Sequence, residues 1–150
     1  MSQTNPESKC AEVMVEAFAK ATELILLNRI FHASELSRIP GRTHFNVEVD
    51  EVDIVRGIIE YWRTDVCLPL RLLIVWRPSD GGTATLVERW DLKYTWGDFK
   101  ACSADKTSLL VNVHCLWKKL VIVLRTLYSV SVALPAARLA RRVEMGDRRG

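Results

Sequence analysis

Apolar residues recur at three- and four-residue steps between Glu12 and Phe31, through Val13, Phe18, Ala21, Leu24, Ile25, Leu27 and Ile30. That period predicts a long amphipathic helix. Met1 to Ser8 reads as a loose start, with Ser8 as cap and Glu12 as an acid of the first turn. Pro40-Gly41 breaks the pattern. Phe45, Val47 and Val49 then alternate with Asn46, Glu48 and Asp50, as in a half-buried strand. Helical spacing returns through Val52, Val55, Ile58, Ile59 and Trp62. Leu68 to Trp76 is rich in branched residues and predicts a strand. Pro78-Ser79-Asp80-Gly81-Gly82 is a turn. A second strand is expected from Thr85 to Trp96. Its inner face would carry Leu86, Glu88, Trp90, Leu92, Tyr94 and Trp96, and its wet face Val87, Arg89, Asp91 and Lys93.

The longest helix is expected from Lys106, capped by Asp105, to about Val132, with Pro135 ending it. Its apolar residues, from Leu109 to Tyr128, cover more than one stripe, which predicts a central helix with partners on several sides. The order helix, strand, helix, hairpin, helix gives an α+β domain: an antiparallel sheet packed against a long central helix and two further helices.

Composition fits that picture. A hydrophobic fraction of 49% and a charged fraction of 26% are ordinary for a packed domain and argue against wholesale disorder. The net charge of +3 resides in residues 138–150, which hold Arg138, Arg141, Arg142, Arg148 and Arg149 against Glu144 and Asp147. The body is neutral overall, so a broad nucleic-acid surface is disfavoured. The most apolar stretch, Leu109 to Ala137, is interrupted by Lys118, Lys119 and Arg125. It falls short of the roughly 20 apolar residues that cross a bilayer. A soluble protein is expected. The start lacks a secretory signal, so reduced thiols in the cytosol are the default.

Candidate chemistry is sparse. Cys10, Cys67, Cys102 and Cys115 include no C-x-x-C pair, and His32 and His44 have no third partner at a metal-ligand spacing, so no metal site is expected. His114 and Cys115 adjoin on the long helix, but consecutive helical side chains diverge by about 100°. Cys115 is expected to pack in the core and His114 on a partly wet face. No phosphate loop or dinucleotide-binding glycine motif occurs, and Gly81-Gly82 is followed by no helix start. Glu88 and Asp91 fall on opposite strand faces and make no acid–base pair. No catalytic residue and no cofactor is assigned. Trp90 and Trp117 are read as core; Trp96, near the strand end, is balanced between core and interface. Arg138, Arg141 and Arg142 suit a phosphorylated or anionic surface, against a solvated terminus as the plainer reading.

Several segments in order resemble the N-terminal domain of the autophagy-related protein 13 family. They are Leu26-Leu27-Asn28-Arg29, His44-Phe45-Asn46-Val47 and Tyr61-Trp62-Arg63 leading into Leu70 to Val75. Leu86-Val87-Glu88-Arg89-Trp90 is the most specific. Leu124-Arg125-Thr126-Leu127-Tyr128 and Leu134-Pro135-Ala136-Ala137-Arg138-Leu139 follow. The resemblance implies a HORMA fold and a non-catalytic scaffold for autophagosome formation, in the cytoplasm at the phagophore assembly site. It implies as partners the autophagy-initiating Ser/Thr kinase complex, autophagy-related protein 101 or another HORMA partner, and autophagy-related protein 9. Paired arginines sense phosphate in some members, and Arg71 is the candidate here.

The family domain continues with further strands, whereas Val143 to Gly150 is polar and basic. The expectation is an incomplete HORMA-like domain over residues 12–137, its C-terminal strands missing. A flexible start at 1–11 and a basic tail at 138–150 would flank it. Such a domain would be marginally stable alone. The alternatives are a HORMA module of the checkpoint or meiotic type, a small cytosolic thiol enzyme, and a peripheral membrane binder using the tail.

Overall fold

A computed structural model describes residues 6–29, 38–39, 45–78, 80–95, 106–139 and 142, and every structural statement below refers to these. Helix α1 runs Pro6–Leu27, strand β1 Arg38–Ile39, strand β2 Glu51–Val52, helix α2 Asp53–Thr64, strand β3 Leu70–Trp76, strand β4 Thr85–Leu92 and helix α3 Lys106–Ala133. A further helical run covers 135–139. The architecture is α+β, with antiparallel pairs β1–β2 and β3–β4 beside three long helices.

Helix α1 starts earlier than its apolar period suggests, at Pro6 rather than Glu12. Proline at the first helical position loses no hydrogen bond and arrives with a helical φ, so Pro6 opens the helix. It ends at Leu27, and Asn28 and Arg29 form a turn closed by the Arg29 amide on the Leu26 carbonyl at 2.9 Å.

The central helix is α1, not α3. Its Met14, Val15 and Phe18 pack with Trp62 and Val66; its Ala17 and Leu24 pack with Phe45, Val121 and Leu124; its Ala19 packs with Val52 and Val55. Alanines on several sides let neighbours approach closely all round. Leu24 and Ile25 are only 1% exposed. Helix α3 instead buries one stripe, Val121, Leu124 and Ser131 with half-buried Leu116, Trp117, Leu120 and Leu127. Its second apolar stripe faces outward. Periodicity gives the width of an apolar face but cannot say whether the same chain covers it.

The 45–50 segment alternates in burial as expected, with Phe45 buried and Asn46, Glu48 and Asp50 exposed. It is not a strand. Phe45 and Asn46 hold left-handed backbone at φ 56 and 54°, Val47 makes a single β-bridge, and among the described residues a two-residue ladder pairs Glu51–Val52 with Arg38–Ile39. A buried cation anchors the segment: Lys20 Nζ donates to the Val49 carbonyl at 3.0 Å and lies 3.0 Å from Glu23 Oε2. That oxygen has no well-aligned hydrogen bond, so the contact is mainly electrostatic. Burial pushes the Glu23 carboxyl above its usual range, opposed by Lys20 and by the Val52 amide at the start of α2. Phe45 also stacks on Trp117, ring centres 5.9 Å apart.

Helix α2 presents Val55 and Trp62 inward, and Trp62 Nε1 donates to the Leu68 carbonyl at 3.1 Å. Asp53 in its first turn and Arg63 in its last complement the helix dipole. Strands β3 and β4 then form a hairpin, shorter than the expected Leu68–Trp76 and Thr85–Trp96. Gly81 turns it at φ 82°, with the Gly81 amide on the Pro78 carbonyl and the Gly82 amide on Asp80 Oδ1.

A register irregularity changes one face. Ile74 pairs Glu88 but Val75 pairs Leu86, leaving Val87 as the extra residue of a bulge. Leu86 therefore turns outward and is exposed, against the expectation that it shares the inner face with Glu88 and Trp90. Farther along, Leu70, Leu92 and Tyr94 join the cluster of α1 and α2, together with Leu116 and Leu120 of α3. No helix among the described residues is long and apolar enough to cross a membrane.

Candidate interaction site

Three segments far apart in sequence meet where α1 ends. Asn28 Nδ2 donates to the Leu24 carbonyl at 2.8 Å and to Ser131 Oγ at 3.0 Å, tying α1 to the last turn of α3. Ser131 is fully buried, and its hydroxyl donates to the Tyr128 carbonyl at 2.9 Å. Next in sequence, Arg29 turns to the hairpin. Its Nε donates to Glu88 Oε2 at 2.8 Å and its Nη2 to Glu88 Oε1 at 3.2 Å, while Nη1 caps the Asn28 carbonyl at 3.1 Å. Trp90 Nε1 donates to the same Glu88 Oε2 at 3.0 Å. Arg29 is 4% exposed.

Both carboxylate oxygens are thus occupied by charge-assisted or indole donors. A buried ion pair needs such complete satisfaction to offset the loss of hydration. Position and chemistry fit: β4 inserts a single carboxylate into an otherwise apolar inner face, and the turn after α1 supplies the matching fork.

A cleft of about 350 Å³ opens beside this latch, lined by Val87, Glu88, Arg89, Trp90, Leu134, Pro135 and Ala136. One wall is β4 at its bulge. The other is the corner after α3, where the Leu134 amide still reaches the Val130 carbonyl before Pro135 opens the 135–139 run. Ala136 and Ala137 are buried there. The walls are mainly aliphatic and indole carbon, with the Glu88 carboxylate and the Arg89 guanidinium as the charged groups, which suits an apolar side chain of a partner.

The residues singled out from sequence lie elsewhere or at the margin. Arg71 is exposed on the outer face of the hairpin, where its Nε contacts Asp91 Oδ1 at 2.6 Å; Arg89 Nε lies 3.2 Å from Asp91 Oδ2. The Arg71 guanidinium holds the Asp91 carboxyl below the usual range. Arg138 is exposed on the 135–139 run and Arg142 is helical and exposed. No hydrogen bond or ion pair joins either to Arg71 among the described residues. Trp96 and Arg141 lie outside the described residues, as do Asp105, Cys102, His32 and His44.

Cys115 is exposed rather than in the core, because it falls on the outward side of α3. His114 is exposed beside it. Trp90 and Trp117, expected in the core, are half-buried. Among the described residues no group of three or more His, Cys, Asp or Glu side chains could hold a metal ion. Sequence reasoning missed Arg29, Asn28 and Ser131. The available signal was Glu88 itself: a lone carboxylate on an inward strand face requires a buried cation.

The family model described as Autophagy-related protein 13 matches residues 75–149, half of the chain. The Autophagy-related protein 13 of Yarrowia lipolytica (strain CLIB 122 / E 150) is 25% identical over 177 aligned residues, which cover 95% of this chain and 25% of that protein. The chain thus spans about a quarter of the length of that relative. No solved structure matches. The matched stretch takes in β4, α3 and the cleft between them. The chain belongs to the autophagy-related protein 13 family.

Proposed function

We propose that this chain is a non-catalytic adaptor domain of HORMA type that supports the autophagy-initiating Ser/Thr kinase complex. Its folded unit runs from α1 through residue 137, followed by the basic stretch 138–150. One observation carries the reading. Segments Leu26–Arg29, Leu86–Trp90 and Leu134–Ala137 converge on a single buried latch and the cleft beside it. A site built from packing and ion pairing, with an aliphatic cleft, suits recognition of another polypeptide.

Strand β4 pairs only with β3 among the described residues. A partner strand would add backbone hydrogen bonds along such an edge while one apolar side chain enters the cleft. Anionic groups on the partner would meet Arg138, Arg141 and Arg142, with Arg71 and Trp96 as further contacts. The partners in this reading are the kinase complex, autophagy-related protein 101 or another HORMA protein, and autophagy-related protein 9. The place of action is the cytoplasm, at the phagophore assembly site.

The test is affinity purification of the 150-residue chain from starved cells, beside a variant carrying Arg89→Ala and Leu134→Ser. The unaltered chain should recover subunits of the kinase complex, and the variant should lose them while melting like its parent. Equal recovery by both chains would reject the cleft as the contact, and recovery by neither would reject the adaptor reading.

A further inference from the structure

The outward side of α2 carries two large apolar side chains that no described residue covers. Ile54 is 62% exposed and Tyr61 71%. They are two turns apart, about 10 Å along the helix, so they share one face. Gly57 lies between them and is also exposed. A Cβ at Gly57 would meet no atom within 4 Å, so no contact among the described residues calls for glycine there. Glycine is a poor helix former, and at this place it leaves a notch that lets another helix approach closely. A charged ridge flanks the notch. Asp53, Arg56, Glu60 and Arg63 follow one another with alternating sign, and the signs invert about position 58: Asp53 answers Arg63, and Arg56 answers Glu60. Within the chain, Arg63 Nη1 lies 2.6 Å from Glu60 Oε1, and Arg56 reaches Glu51 Oε2 at 3.2 Å and Asp53 Oδ1 at 3.9 Å. The four side chains of the ridge are each more than half exposed, so these pairs are weak and exchange readily for others.

We infer that α2 is the contact through which two copies of this chain associate, packed antiparallel about a twofold axis near Ile58. In that arrangement each flank of the helix faces the same flank of its mate. Ile54 of one copy meets Tyr61 of the other across the Gly57 notch, and the axis makes the contact twice. Arg56 meets Glu60 and Asp53 meets Arg63 in the same way. The inverted charge pattern selects a second copy as the occupant, because a surface that answers itself under a twofold rotation is what an isologous interface requires. A parallel arrangement would set Arg56 beside Arg56 and Glu60 beside Glu60, so the pattern also fixes the antiparallel sense. A helix of 12 residues buries less than a standard interface, so association is weak, with a dissociation constant on the order of 100 µM. No residue of α2 lines the cleft beside the latch, so both clefts stay open in the pair and the contact stands apart from the adaptor reading.

The experiment is sedimentation equilibrium of the full 150-residue chain at rising concentration, up to about a millimolar. The unaltered chain should pass from monomer to dimer and no further. Arg56→Glu alone and Glu60→Arg alone should each weaken association by about tenfold, because the twofold axis repeats the repulsion. An equal mixture of the two variants should associate as well as the unaltered chain, since one then carries two glutamates at these places and the other two arginines. Gly57→Gln fills the notch, so it should melt no lower than the unaltered chain yet associate about tenfold more weakly. The cleft variant, Arg89→Ala with Leu134→Ser, should associate normally.

Arg56 and Glu60 are exposed, so the charge variants should melt like the unaltered chain. If either melts early, Gly57→Gln carries the test. Three results would overturn the inference: a chain that stays monomeric at every concentration, association undiminished by these substitutions, or two charge variants that fail to associate when mixed. It would equally fall if the cleft variant alone lost association. A monomeric chain whose Tyr61→Ser variant no longer recovered the kinase complex would give the face to a different protein, and that too would overturn it.

Discussion

Replacing Glu88 by alanine tests the latch at its most exacting point. The substitution removes the acceptor of two guanidinium hydrogen bonds at 2.8 and 3.2 Å and of the Trp90 indole at 3.0 Å. Arg29, whose side chain is 1% exposed, then keeps its charge with no carboxylate in reach. Breaking one partner of a buried pair in this way costs about 3–5 kcal/mol. Folded domains hold roughly 5–15 kcal/mol in all, so the loss is a large part of the total. For a chain of this length it corresponds to a fall in melting temperature of about 6–20 °C.

The assay is urea denaturation with a parallel thermal melt, and the control is the double variant Arg29→Met with Glu88→Leu. Apolar replacement of both partners leaves no stranded charge, so the double variant should regain most of the stability lost by Glu88→Ala. A Glu88→Ala loss below about 1 kcal/mol, the range of an exposed pair, would refute the buried-latch reasoning. So would a double variant less stable than Glu88→Ala.

Other expectations follow from single contacts. Trp62→Ala empties the largest side chain of the α1–α2 cluster, where it packs 5.0 Å from Phe18, and should cost about 3–5 kcal/mol in urea denaturation. Gly81→Ala meets no atom within 4 Å but must hold φ 82°, so it should cost about 1 kcal/mol by the same method. The Glu23 carboxyl is raised by burial, so it binds its proton more tightly folded than unfolded. The stability it contributes is complete below the ordinary glutamate range and is lost as pH rises through the raised value. The stability of the unaltered chain relative to Glu23→Gln should therefore fall over that interval, and a flat difference would remove the claim. Arg71→Gln should let the Asp91 carboxyl rise toward its ordinary range in an NMR titration.

Much of the fold is legible in the sequence because its signals are local. The 3.6-residue period places α2 and α3, and the Pro78–Gly82 turn places the hairpin. What is not legible depends on distant partners. The second apolar stripe of α3 suggests a buried central helix, yet burial depends on what packs there, and α1 occupies the centre. The alternation from Phe45 to Asp50 does report faces, but the hydrogen-bonding partner that makes a strand is a property of another segment. The Val87 bulge shifts one residue and reverses Leu86, a displacement that hydrophobicity alone does not encode.

The site divides the same way. Glu88 and Trp90 stand out on their strand, whereas Arg29 lies 59 residues away and Ser131 a further element on. Only the fold shows that Asn28 and Arg29 face two different neighbours.

The central claim is that the three converging segments form the contact through which this chain holds other proteins. Amide hydrogen exchange of the chain, free and in the presence of the purified kinase complex, tests it most directly. Added protection should concentrate in β4 from Leu86 to Trp90 and in the Leu134–Ala137 corner, with the outward stripe of α3 exchanging as before. Protection confined to other elements, or none at all, would contradict it.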